Sequence, residues 1–265
     1  MIASLIAVAI AASQPAVVDP IAEAQHAIKV GRFDEARAIT AKAVALGAGG
    51  NALDRLLADL AFATGDDAPA LARFEALMLN SPNDAVLAEH AGLAALRLRD
   101  IAKASAYLRR ATVLPGASWR AWNGLAVVAD WQGHWSAADE AYAKALELAP
   151  RSPEVANNSG WSLLVRGQWH EAIAPLEQAA ALDPSSKRIA ANLELAHAAL
   201  ADGLPERQRG ESAADWAARL NDAGIVARLR GDRKRAIAAF ARAIEARTDW
   251  FERAANNLAA TESMK

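Results

Sequence analysis

The chain contains no cysteine, two tyrosines and three methionines among 265 residues, and neither charge is in excess. Lack of cysteine excludes disulfides, thiolate metal sites, thiol nucleophiles and lipid attachment through cysteine. Lysine and arginine number 29 against 31 acidic residues, a formal net charge of −2. That balance gives no electrostatic footprint for nucleic acid. Catalytic signatures are also missing. The five histidines (26, 90, 134, 170 and 197) form no HExxH pair, and neither a phosphate-cradling glycine loop nor a nucleophile elbow occurs. The sequence therefore predicts no enzyme, no cofactor and no metal.

No apolar run is long enough for a membrane span, which takes about 20 residues. Residues 2–12 are uncharged and apolar, and small residues follow them. Residues 1–13 fit a secretory signal, with Ala9–Ala11 or Ala11–Ser13 as the cleavage region, although no lysine or arginine precedes the run. The expectation is a periplasmic or otherwise exported protein. The alternative is a cytoplasmic one whose apolar N-terminal segment packs against the first structural unit of the chain.

What the sequence does have is a period. Glycines 31, 65, 133 and 167 fall on a 34-residue grid, with Arg99 in the vacant place. Alanine stands five residues later every time, at 36, 70, 104, 138 and 172, and prolines 82, 150 and 184 close three units. Apolar residues on either side of each glycine recur at helical spacing, as in Trp122, Leu125, Ala126 and Ala129, then Trp135, Ala138, Tyr142 and Ala145. Each unit thus reads as two helices. Glycine makes the turn between them, and small residues such as Ala126 and Gly160 allow close approach.

These columns resemble the tetratricopeptide repeat, whose signature runs W-x2-L-G-x2-Y, A-x3-F and P. Trp122, Leu125, Ala126, Ala138, Tyr142 and Pro150 follow it, as do Leu57, Ala58, Ala70, Phe74 and Pro82. The resemblance implies an all-α, right-handed superhelical solenoid of antiparallel helix pairs, with about six repeats and a C-terminal capping helix. Residues 19–188 supply five tandem repeats, 189–201 an unpaired helix, 202–211 an irregular insertion, and 212–265 the final repeat and cap. The insertion reads either as a hinge or partner-binding loop, or as a tolerated relic of a lost helix. The resemblance further implies a protein or peptide partner held in the concave groove. With the N-terminal signal, it extends to exported bacterial scaffolds such as tight-adherence pilus assembly proteins.

Helical phase assigns faces. With Trp122 as the core direction, Arg120, Asn123, Val127, Asp130 and Trp131 point roughly 80° to 180° away from it. In the resembling family such positions face the groove. Asn157, Asn221, Asn158 and Asn192 recur in two adjacent, incomplete columns, joined by Asn256 and Asn257. Their amides either pair with a bound peptide backbone or bond a neighbouring repeat. The partner-binding set is Arg120, Asn123, Asp130, Trp131, Asn157, Trp161 and Asn192. Trp122, Trp135 and Trp169 are expected to pack between helices. The alternative working surface is a basic cluster, Arg228, Arg230, Arg233, Lys234 and Arg235 with Arg242 and Arg247. It would dock on an acidic protein or an anionic membrane.

Overall fold

The computed structural model describes residues 19–200, 203–247, 249 and 251–263. Residues 1–18, on which the export reading rests, lie outside them. The described residues form fourteen α-helices and no strand. Six antiparallel pairs are made by α1 (Pro20–Lys29) with α2 (Phe33–Ala45), α3 (Asn51–Thr64) with α4 (Asp67–Asn80), and α5 (Ala85–Arg97) with α6 (Ile101–Val113). The series continues with α7 (Trp119–Trp131) and α8 (Trp135–Leu148), α9 (Pro153–Val165) and α10 (Trp169–Leu182), then α12 (Ala213–Leu229) and α13 (Arg233–Glu245). Between the fifth and sixth pairs α11 (Lys187–Leu200) stands without a second helix, and α14 (Glu252–Glu262) closes the stack against α12 and α13. Successive pairs pack on one another, the fifth and sixth through α11, so the described residues form an all-α repeat solenoid. None of these helices is long and apolar enough to cross a membrane.

Local chemistry sets the boundaries. Asp84, Ser118, Ser152 and Ser212 accept backbone N–H groups of the first turns of α5, α7, α9 and α12. Such caps contribute about 1 kcal/mol each. The turns inside pairs need a left-handed residue: Gly65, Gly133 and Gly167 have φ of 83°, 70° and 82°. Arg99 holds the same place in the third pair at φ 60°, the one non-glycine with positive φ among the described residues. That conformation costs an L-residue about 1–2 kcal/mol.

Inside every pair a small residue of the first helix meets a large one sixteen positions later. Ala58 faces Phe74, Gly92 Leu108, Ala126 Tyr142, Gly160 Leu176 and Gly224 Phe240, all buried. A Cβ on Gly160 would lie 2.6 Å from the Cγ of Leu176, and one on Gly224 would lie 2.5 Å from the Phe240 ring. The first pair uses a smaller version, Ala24 with Thr40, whose hydroxyl donates to the Ala36 carbonyl at 2.7 Å. Glycine in a helix costs about 1 kcal/mol relative to alanine. Its presence here is accounted for by the approach it allows. Gly160→Leu is expected to lower the midpoint of chemical unfolding by the equivalent of about 1–3 kcal/mol. An unchanged midpoint would mean that the pair is not closed by this contact.

Candidate partner-binding groove

The first helices of successive pairs lie side by side, and the residues just past the small column form a continuous row along them. Across α3, α5, α7 and α9 this row encloses a hollow of about 290 Å³ with Phe62, Leu93, Leu96 and Val127 as its apolar wall. Arg97, Arg120, Glu154 and Asn158 supply its polar edge. Leu93, Val127 and Trp161 share one column of the repeat, and Arg97 and Trp131 share another. The two tryptophans therefore prolong the same row. They are 49% and 41% exposed, which is high for rings of this size. Arg120 is exposed, lies 4.4 Å from the centre of the Trp119 ring and forms no ion pair among the described residues. Arg97 is held by Asp67 at 3.1 Å and by the Phe62 carbonyl at 3.0 Å, with its guanidinium over the Phe62 ring. The Arg99 guanidinium lies 5.4 Å from the Trp131 ring. Phe62, Leu93, Arg97 and Arg99 were missed from the sequence. Arg99 carried a signal, as the lone departure from the turn-glycine column, and Arg97 stands one repeat before Trp131.

The asparagines have a different role from the one expected of groove amides. Asn123, Asn157 and Asn221 are 5%, 2% and 1% exposed. The Asn158 amide donates to Asn123 at 3.2 Å, Asn192 to Asn157 at 2.8 Å, and Asn257 to Asn221 at 2.9 Å. The two incomplete columns are one staggered series: an asparagine in one repeat accepts from the next residue position in the following repeat. Its gap has a cause. Ala191 of α11 offers no acceptor, and Asp222 of α12 stands where the donating amide would be. Glu89, one repeat before Asn123, does equivalent work by accepting from Ser118 of α7 at 2.5 Å. Asn157 and Asn192 thus bind repeat to repeat and are withdrawn from the partner-binding set, and Asn123 does the same work while also lining the hollow.

Asp130 is also engaged within the stack. It accepts from Tyr142 at 2.8 Å and from Ser162 at 2.7 Å, tying α7 to α8 and α9. Burial raises its pKa above the ordinary carboxylate value, and the bonds from Ser162 and Tyr142 offset this only in part. Burial and the Asp130 charge push the Tyr142 phenol up as well. Of the tryptophans assigned to packing, Trp122 and Trp169 are partly buried against core clusters. Trp135 is more open: it is 38% exposed, with the Arg166 guanidinium 5.9 Å from its ring. From the expected set, Arg120, Trp131 and Trp161 remain available to a partner.

A Tetratricopeptide repeat model matches residues 91–153 and again 132–187. Residues 91–187 carry tetratricopeptide repeats. No curated protein matches its sequence. Solved tetratricopeptide structures resemble its fold. PilW, a type IV pilus biogenesis factor, aligns at 15% identity over 90% of this chain and 96% of its own, with a TM-score of 0.57. A thermophilic tetratricopeptide repeat protein of Thermus thermophilus aligns at 19% identity over 67% of this chain and 97% of its own, TM-score 0.56. In the APC/C hetero-tetramer Cut9–Hcn1, a chain is matched over 50% of its length and 92% of this one at 18% identity, TM-score 0.57.

The basic cluster of the last helix pair is largely engaged within the chain, three of its arginines with backbone carbonyls. Arg230 donates to the Ala199 carbonyl at the end of α11, and Arg233 to the Thr261 and Glu262 carbonyls at the end of α14. Arg235 reaches the Gly203 carbonyl at 2.6 Å, Arg228 lies over Phe240, and Arg242 lies over Trp216. Arg247 pairs with Asp249. Helix C-termini present unpaired carbonyls that attract such cations. Within the expected basic docking face, Arg230 and Arg233 close helix ends, Arg235 holds a loop carbonyl and Arg228 lies over a ring, while Lys234 has no side-chain contact of these kinds among the described residues. For the asparagine series, Asn157→Ala should destabilise the stack by about 1–3 kcal/mol by leaving the Asn192 amide unpaired. Thermal unfolding checks this, and a neutral effect would remove the series from the account of stability.

Proposed function

We propose that this chain is a non-enzymatic adaptor that holds a segment of a partner protein along its groove. Tetratricopeptide repeats generally mediate protein–protein interaction and are generally non-catalytic, which supports that class. The observation that carries the reading is the exposure of Trp131 and Trp161 in the columns that wall the hollow. Exposed tryptophans beside an arginine are the residue types that dominate interface energetics. The hollow suits an apolar anchor of the partner, and Arg120 suits an acidic or carbonyl group next to it. A partner segment lying across α5, α7 and α9 would touch both tryptophans.

Envelope assembly is the setting proposed, from the apolar residues 1–13 and from the likeness in fold to a pilus biogenesis factor. The mature N-terminus of the natively expressed protein tests it: a start after residue 9 supports export, and an intact Met1 in a cytosolic fraction opposes it. The groove is tested by affinity purification of partners from native cells at moderate salt. Trp131→Ala with Trp161→Ala is expected to weaken capture at least tenfold, on the order of 2 kcal/mol for removal of interface anchors. Capture unchanged in a double variant that folds normally would overturn the groove assignment.

A further inference from the structure

The place where the repeat is broken contains a cavity of about 600 Å³. It lies between α11 and α12, on the face that meets a second helix in every intact pair. Register makes this explicit. Ala156, Gly160, Leu163 and Leu164 of α9 face α10, with Gly160 against Leu176 and Leu164 in one cluster with Ala172. One period later Ala190, Glu194, His197 and Ala198 of α11 line the cavity. A tetratricopeptide second helix does not fit there. Its closest approach needs glycine or alanine, and α11 has Glu194 at that position. The following segment stays irregular and is pinned over the cavity's edge. Trp216 donates to the Pro205 carbonyl at 3.1 Å, and Arg219 holds the Glu211 carboxylate at 2.8 Å. Anchors at both ends argue against a free hinge.

The cavity is apolar in its body, with Leu193, Leu195, Leu204 and Pro205 contributing. Its charges do not balance. Arg219 is matched by Glu194 at 2.9 Å and by Glu211. Asp222, also in the wall, accepts only from the amide of Asn221 at 3.3 Å and forms no ion pair among the described residues. Burial raises its pKa. The Asn221 bond and the charge of Arg253 on α14 oppose that rise, and Glu194 adds to it. His197 and Gln208 also line the wall without bonding Asp222, and a partly buried carboxylate with no direct cation is electrostatically under-compensated. A volume of this size matches small-ligand sites, which run from about 300 to 1,000 Å³.

We propose that this cavity is a site for a small amphipathic amine, its apolar body against Leu193 and Leu204 and its ammonium group on Asp222. The site is separate from the groove and owes its existence to the absent second helix. Isothermal titration of the full chain with n-octylammonium, n-octanoate and n-octanol tests it. Octylammonium is expected to bind about tenfold or more tighter than the other two, the worth of a charge-assisted hydrogen bond. Asp222→Asn should remove that preference while leaving the helical circular dichroism intact. Ala198→Trp, which fills the cavity from α11 without altering the carboxylate, should abolish binding of all three. The proposal is overturned if octylammonium gives no binding, if octanoate binds as tightly, or if either variant binds as the unmodified protein does.

Discussion

The contact between a small residue of one helix and a large residue sixteen positions later is what the rest of this structure depends on. It recurs from Ala58 with Phe74 to Gly224 with Phe240, with both members buried. Close approach of two helices brings many carbon atoms into contact at once, and each contact is weak alone. Once the pairs are closed, their first helices are aligned in one row. The proposed groove follows from that row. The hollow between α3 and α9, and the exposure of Trp131 and Trp161, are properties of the side of the first helices that the second helices leave uncovered.

Solenoids bury each unit mainly against its neighbours, so the interfaces between repeats carry as much of the fold as the repeats do. Here a polar device joins three of them. Asn123, Asn157 and Asn221 each accept an amide from the following repeat while almost fully buried. Buried amides that are satisfied specify register, whereas an apolar surface would tolerate sliding. The series is interrupted at α11, where Ala191 offers no acceptor and Glu194 replaces the small residue. The chain then resumes with α12 and a new pair, off the original period.

The period, the helix pairing and the turn positions were legible in the sequence because they depend on residue size and backbone conformation at fixed spacing. The site was less so. Helical phase was measured from one core direction, set by Trp122. A first helix in a stack packs on its own second helix and on both neighbouring first helices, so its buried arc is wider than one stripe. Asn123, about 100° from Trp122, falls inside that arc and faces the next repeat. Asp130 is lost to the groove for the same reason, since Ser162 of α9 reaches it. Trp131 and Trp161 lie beyond the arc and stay exposed. The arginines of the last repeat misled in another way: their acceptors are carbonyls about thirty residues distant, such as Ala199 for Arg230, and no local pattern reports those. The hollow's own Phe62 and Leu93 read as ordinary apolar positions until the helices were set side by side.

The central claim is that partners are held on the first-helix face. Site-specific photo-crosslinking in native cells measures it directly. A p-benzoylphenylalanine at position 161, on α9, should crosslink a partner, and the same group at position 144, an exposed lysine on the second helix α8, should not. Crosslinking from 144 but not from 161 would contradict the account.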